Sequence, residues 1–100
     1  MLYFVTDMVI RLSQFGNLLV SRPSGREAYL AAKAYLLDKS ADRIDIDFTG
    51  VKVVAPSWLD EFLTPLKEEY GNKVKLGSSD NQSVLASLAT ISQNKADFPQ

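Results

Sequence analysis

The segment from residue 43 to residue 66 constrains the fold of this 100-residue chain more than any other. Ile44, Ile46 and Phe48 alternate with aspartates, and this period of two residues is typical of a strand with one buried face. Beyond a Thr-Gly loop, apolar residues recur with helical spacing at Leu59, Phe62, Leu63 and Leu66. Because a strand followed by an amphipathic helix is the repeating unit of α/β domains, the segment predicts an α/β fold.

Strand and helix signals alternate along the rest of the chain. Strand-favouring residues cover 2–6, 8–12, 18–20, 43–48 and 73–76, whereas helical patterns cover 24–38 and 57–69 and resume after residue 81. In the first helix, the stripe expected to face the core consists of Leu30, Ala34 and Leu37. This order favours parallel strand pairs covered by helices, with an antiparallel portion near the N-terminus. We expect a single domain over residues 1–92 and a polar tail over 93–100.

The first two helical patterns begin with the spacing of a capping box, in which a serine and an acidic residue three positions later cap free amides. Ser24 with Glu27 has this spacing in the first helix, and Ser57 with Asp60 has it in the second. As a cap, Ser57 would contribute about 1 kcal/mol. Pro65 lies inside the second pattern and removes one backbone hydrogen bond, so we expect a kink or a division there.

The composition excludes several classes of site. The chain has no cysteine and no histidine, which removes disulfides, thiolate nucleophiles, the Ser-His-Asp arrangement and the commonest zinc ligands. A net charge of −1 with scattered basic residues gives no electrostatic case for nucleic acid or an anionic membrane. No window approaches about 18 consecutive apolar residues, and the N-terminus does not resemble a secretory signal. We therefore expect a cytoplasmic protein without a cofactor or a metal site.

Three short motifs follow one another along the chain. They are Ser21-Arg22-Pro23-Ser24-Gly25 near the start of the first helix, Asp47-Phe48-Thr49-Gly50-Val51 at the end of the central strand, and Trp58-Leu59-Asp60-Glu61 in the second helix. With these motifs the chain resembles the STAS-like domain family of unknown function, found in bacteria and phages, over roughly residues 8–92. That family is related to the STAS domains of anti-sigma factor antagonists.

The resemblance implies a STAS-like mixed β-sheet of about four to five strands, with about three helices packed mainly on one side. It also implies a non-enzymatic regulatory module in bacterial or phage signalling that binds a partner protein. The residues expected to contact the partner lie in the loop and helix N-terminus around Ser57: Pro56, Ser57, Trp58, Asp60 and Glu61. We expect Trp58 to be a partly exposed apolar anchor, and the two acids to supply charge selectivity. The partner type that the family implies is an ATP-binding kinase-like regulator.

The first alternative is a phosphorylation switch. Anti-sigma factor antagonists carry a phosphorylated serine at the position of Ser57, so the resemblance also implies that Ser57 is the phosphoacceptor of a serine kinase with the histidine-kinase fold. In this chain Ala55, Pro56 and Trp58 stand where those proteins have Asp, Ser and Gly.

The second alternative is a small-ligand-binding or catalytic domain. Its residues would be Asp45, Asp47, Asp60 and Arg22. Asp45 and Asp47 would share one strand face about 6.6 Å apart, a separation compatible with paired catalytic carboxylates. A single solvated strand face explains the same two residues more simply. Asp60 and Glu61, in turn, would complement the helix dipole or contact either Arg22 or a basic partner.

Overall fold

The computed structural model describes the backbone of residues 7–94 and the side chains of residues 7–92. Its strands are β1 (Asp7–Arg11), β2 (Leu18–Leu19), β3 (Arg43–Asp47), β4 (Val53–Val54) and β5 (Val74–Leu76). Its α-helices are α1 (Arg22–Tyr35), α2 (Pro56–Tyr70) and α3 (Gln82–Asn94), and 3-10 turns cover Leu12–Phe15 and Gly71–Lys73. The predicted α/β fold is confirmed, whereas the strand predicted over 2–6 and the tail beyond residue 94 lie outside the described residues.

The described strands form two small parallel sheets rather than the single mixed sheet that we expected. β3 lies between β1 and β5 in the larger sheet, and Ile44 of β3 is opposite both Met8 and Val74. β2 and β4 form the smaller sheet. The 3-10 turn Leu12–Phe15 separates β1 from β2, and each of these strands pairs with a later one. The antiparallel portion expected near the N-terminus involves residues 2–6, which lie outside the described residues.

The larger sheet has one apolar face and one charged face. The isoleucines of β3 are fully buried in the core cluster, which also contains the inward residues of α1 and α2. On the opposite face, Arg11 pairs with Asp47 at 3.1 Å and Arg43 pairs with Asp45 at 2.7 Å. The aspartates that alternate with buried residues therefore form ion pairs on a solvated face, which supports the simpler interpretation of their spacing.

The sequence pattern predicted the buried residues of α2 correctly but not those of α1. All four predicted core residues of α2 are fully buried. In α1, however, Ala28, Tyr29 and Ala32 are buried, while Leu30 is 51% exposed and Ala34 is exposed. The predicted stripe is therefore wrong at Leu30 and Ala34, while Leu37, just beyond the helix, does pack against the core. Ala28 and Ala32 face inward instead, and their small side chains allow close packing against α2.

Two local expectations for the helices, the cap of α1 and a division of α2 at Pro65, are also wrong. The N-cap of α1 is Ser21 rather than Ser24, since the Oγ of Ser21 accepts the amide hydrogen of Ser24 at 3.1 Å and Pro23 lies in the first turn. α2 continues through Pro65 as one helix from Pro56 to Tyr70. Buried residues on both sides of Pro65 hold α2 against the core, which compensates for the missing backbone hydrogen bond.

Candidate functional site

The N-terminus of α2 differs from the capping box that the sequence predicted. The helix begins at Pro56, and its N-cap is Ala55, which offers no side-chain oxygen. The prediction that Ser57 caps the helix is therefore wrong. Ser57 lies one position inside the helix, where it is half-buried, and its Oγ donates a long hydrogen bond of 3.3 Å to the carbonyl oxygen of Val20.

Trp58 lies in the interior, so the prediction of a partly exposed anchor is wrong. Its side chain is fully buried, and its ring stacks on Phe62 with centroids 5.3 Å apart and 11° between the planes. The indole Nε1 donates a hydrogen bond to the Oγ of Ser24 at 3.2 Å. Because residues four apart share one face of a helix, Trp58 follows Phe62 into the core once the helix begins at Pro56.

Gly25 lets α1 approach the backbone of α2 closely. It is buried, and a Cβ placed on it would lie 2.5 Å from the carbonyl oxygen of Trp58 and 3.0 Å from its Cα. Backbone atoms cannot move aside as a flexible side chain can, so no larger residue fits without shifting a helix.

Arg22 joins the start of α1 to the first turns of α2. Its Nη1 donates hydrogen bonds to Asp60 Oδ2 at 3.2 Å and to Glu61 Oε1 at 2.9 Å. The hydrogen bond to Glu61, and then the one to Asp60, raise the pKa of Arg22 above its ordinary value. About half of the Arg22 side chain is exposed, so this charge pair contributes little to stability compared with the buried contact beside it.

The motifs of α1 and α2 thus form one contact between the two helices. Ser21 caps α1, Ser24 binds the indole, Gly25 contacts the Trp58 backbone, and Arg22 binds both acids. This set of contacts, which we call the α1–α2 contact, fixes where the N-terminus of α2 lies. It has a structural role that does not depend on a partner.

The motif at the end of β3 forms a tight loop. Asp47 Oδ1 accepts hydrogen bonds from the amide of Thr49 at 2.9 Å and from its Oγ1 at 2.7 Å. These bonds, the backbone one foremost, hold the pKa of Asp47 below its usual value, with a smaller contribution from Arg11. Gly50 has a φ of 89°, a conformation that favours glycine. Phe48 is buried, so this motif also orders the chain ahead of β4.

The four residues of the proposed catalytic or ligand-binding alternative do not share a site. Asp45 and Asp47 lie on the charged face of the larger sheet and bind arginines there. Asp60 and Arg22 bind each other between α1 and α2, which pack on the opposite, apolar face. This separation gives the alternative no structural support.

A feature that the sequence analysis missed is an apolar face on the smaller sheet. Leu18 is opposite Val53, and their side chains are 62% and 42% exposed, while the neighbouring pair Leu19 and Val54 is buried. Val20, two residues after Leu18, is 51% exposed. We call Leu18, Val20 and Val53 the apolar strand face. Its sequence signal is weak: Leu18-Leu19-Val20 and Val53-Val54 are uninterrupted apolar runs, and because adjacent strand residues face opposite sides, each run must place at least one apolar residue outward.

The apolar strand face is continuous with the N-terminus of α2. The Ser57 hydroxyl binds the Val20 carbonyl, and the amide of Ala55 donates to the Leu19 carbonyl at 2.8 Å. Ser57 and Pro56, which were predicted as partner contacts, are therefore brought beside exposed apolar residues that were not predicted.

Comparison with known protein families identifies the domain. The family model described as a STAS-like domain of unknown function matches residues 31–83. The chain belongs to this family. In this STAS-like domain the match covers the motifs of β3 and α2, whereas the motif that begins at Ser21 precedes it. None of the curated proteins and none of the solved structures compared with the chain matches it.

The STAS-like domain also has a polar cleft of about 290 Å³ where β3 and β5 end. Its lining includes Asn81, whose Nδ2 donates to the carbonyls of Val51 and Lys52 while its Oδ1 accepts from the amides of Ser83 and Val84. Asn81 therefore joins two loops and caps α3.

In the part of the chain that the structure describes, no three side chains of the His, Cys, Asp or Glu type come together as a metal site. None of the helices in that part has the length and hydropathy needed to cross a membrane.

Proposed function

We propose that this STAS-like domain is a non-enzymatic regulatory module that binds a partner protein through the apolar strand face and the N-terminus of α2. Pro56 and Ser57 contact the partner beside Leu18, Val20 and Val53. By analogy with anti-sigma factor antagonists, the partner is an ATP-binding kinase-like regulator in the cytoplasm.

The observation that carries this proposal is the exposed cross-strand pair of Leu18 and Val53. In a small sheet with one buried face, the outward positions are normally polar, because apolar side chains gain nothing from contact with water. Two opposed apolar side chains, each more than two-fifths exposed, together with Val20, make a contiguous patch. Such patches mark protein-interaction surfaces.

Asp60 and Glu61 form the rim of the proposed surface. Each acid is about a quarter exposed, and both bind Arg22. Because their charge is largely offset within the molecule, they select between partners rather than supply most of the affinity. Trp58, which is buried, does not contact the partner.

Site-specific photocrosslinking in the cells that make the protein tests the proposal. A photoreactive residue at Val53 should give one defined adduct with a partner protein. Leu85 of α3 is the matched control, since it is also an apolar residue and is 45% exposed. Equal adducts from both positions, or adducts from Leu85 alone, would reject the apolar strand face as the binding surface.

A phosphorylation switch at Ser57 is a second candidate, favoured by the geometry of the hydroxyl. Ser57 is half-buried in the first turn of α2, and its hydrogen bond to Val20 is long. The first backbone bond of α2 runs from the amide of Leu59 to the carbonyl of Ala55, so the amides before it belong to the unpaired first turn. A phosphate there would be stabilised by these amides and by the helix dipole.

Mass spectrometry of the protein from its native host tests the switch. The candidate predicts a phosphate on Ser57, and it predicts that Ser57→Ala stays permanently in the state that the unmodified protein adopts. A chain without phosphate under every growth condition, together with a Ser57→Ala variant that behaves as wild type, would remove the switch and leave the binding proposal intact.

A further inference from the structure

The hydrogen-bond directions within the smaller sheet show which of its edges is open. The amides of Val53 and Ala55 in and after β4 donate to the carbonyls of Asn17 and Leu19, at 3.0 and 2.8 Å. The amide and carbonyl of one strand residue point to the same side, and successive residues alternate. The amide and carbonyl of Leu18 therefore point away from β4.

The outer edge of β4 is closed by α3. Ser83 Oγ accepts the amide hydrogen of Val54 at 2.9 Å and donates to its carbonyl at 3.0 Å. Ser87, which is buried, also donates to the Val54 carbonyl at 2.6 Å. Serines four residues apart on one helix face thus take the place of a neighbouring strand on this side.

The outer edge of β2 has no such cover. Within residues 7–94, no hydrogen bond engages the amide or the carbonyl of Leu18, and its side chain is mostly exposed. Val20 lies beyond the end of β2, where its carbonyl accepts the Ser57 hydroxyl. An unpaired donor and acceptor on an extended residue can be satisfied together by the backbone of another extended strand.

We propose that the partner inserts an extended segment as a third strand along the outer edge of β2, an inference that rests on the proposed function. The backbone of this segment pairs with the Leu18 amide and carbonyl. Side chains of the segment alternate between the two faces of the sheet, so those on the outer face are apolar and pack against Leu18, which lies between the added strand and Val53.

Substitution at Leu18 separates the backbone from the side chain. Leu18→Pro removes the amide donor and keeps an apolar residue, and it breaks no internal hydrogen bond because this amide points outward. Leu18→Ala keeps the donor and removes most of the side chain. The probe is a library of random linear peptides displayed on phage and selected on the full wild-type chain.

We expect the selected peptides to carry alternating apolar residues. Their binding should slow hydrogen exchange at the Leu18 amide of the wild type. Their affinity for Leu18→Pro should be about tenfold or more lower than for the wild type. Leu18→Ala should lose less peptide affinity than Leu18→Pro, because it keeps the amide donor. If Leu18→Pro does not fold, the exchange measurement on the wild type decides alone. Equal peptide affinity for Leu18→Pro, or unchanged exchange at Leu18, would overturn the inference.

The same experiment distinguishes the inference from the proposed function. If the peptides bind Leu18→Pro as tightly as the wild type but do not bind Val53→Glu, strand addition is rejected, and the apolar strand face remains a binding surface. Peptides that bind both variants as they bind wild type would reject both proposals. Concentration-dependent protection of the Leu18 amide without peptide would place a second copy of the chain on this edge, and would also overturn the inference.

Discussion

A Cβ at Gly25 would lie 2.5 Å from the carbonyl oxygen of Trp58. At the start of α2, the backbone of α1 therefore packs directly on the backbone of α2, and the absence of a side chain at Gly25 makes this possible. Beside this contact, Ser24 binds the Trp58 indole and Arg22 binds Asp60 and Glu61. The residues of the two sequence motifs, at 21–25 and 58–61, therefore set the position of the α2 N-terminus. The surface left for a partner is formed by neighbours of the motif.

Gly25→Ala should destabilise the fold by about 1–3 kcal/mol, because the added methyl group forces the helices apart. The intrinsic helix preference of alanine over glycine, up to about 1 kcal/mol, acts in the opposite direction. A loss of stability in urea or thermal unfolding would thus report the contact itself. Glu27→Ala, on the exposed side of the same helix, is the control and should change little. A Gly25→Ala variant more stable than wild type would contradict the close approach.

Ser21→Ala and Ser57→Ala form a matched pair of cap tests. Ser21 accepts the Ser24 amide as the N-cap of α1, so its loss should cost about 0.5–2 kcal/mol in the free energy of unfolding. Ser57 caps no helix, so Ser57→Ala should lower the free energy of unfolding less than Ser21→Ala does. Both variants can be compared by chemical denaturation. The reverse order of the two costs would restore Ser57 as a cap and contradict the helix start at Pro56.

Ser24→Ala should cost about 1–3 kcal/mol, because it leaves the buried Trp58 N–H without its acceptor. If Trp58 is first replaced by phenylalanine, which has no such donor, the additional effect of Ser24→Ala should be much smaller. A double-mutant cycle on the free energy of unfolding measures this difference. Strictly additive effects would show that the indole hydrogen bond does not couple the two residues.

The acid sensitivity of the fold should decrease in Asp47→Asn. The pKa of Asp47 is lowered in the folded protein, so its contribution to stability is present above the unfolded pKa of about 3.9 and is lost as the pH falls through the lower folded value. Below about pH 4, unfolding free energy should therefore fall less steeply in Asp47→Asn than in wild type. Thr49→Val should have a smaller effect of the same sign. Identical acid slopes for wild type and Asp47→Asn would contradict the loop geometry.

The sequence predicted the elements whose residues alternate or repeat over several turns. The alternation at Ile44, Ile46 and Phe48 and the apolar stripe of α2 both correspond to buried faces in the structure. These patterns predict structure well because several apolar residues repeat with the same spacing, and each of them supports the same buried face. The resemblance to the STAS-like family, which rested on three motifs, is confirmed by the family match over residues 31–83, and that match covers the two motifs of this segment.

The sequence did not predict features that depend on contacts between distant segments. α1 buries Gly25 and Ala28 rather than Leu30, because close approach to Trp58 outweighs the hydrophobicity of the leucine. Trp58 shares the face of Phe62, and α1 covers it from a distant part of the chain, where Ser24 binds its indole and Gly25 contacts its backbone. Two-residue strands such as β2 are too short for any period to show, so the apolar strand face became visible only with its partner strand beside it.

The most direct test of the account is the affinity of the crosslinked partner for the full chain, measured by isothermal titration calorimetry with Leu18→Glu and Leu85→Glu. Both replace an exposed leucine by a charge, and thermal unfolding should show that both remain folded. The account predicts that Leu18→Glu weakens binding by about a hundredfold or more while Leu85→Glu binds like wild type. Equal affinity of the two variants for the partner would contradict it.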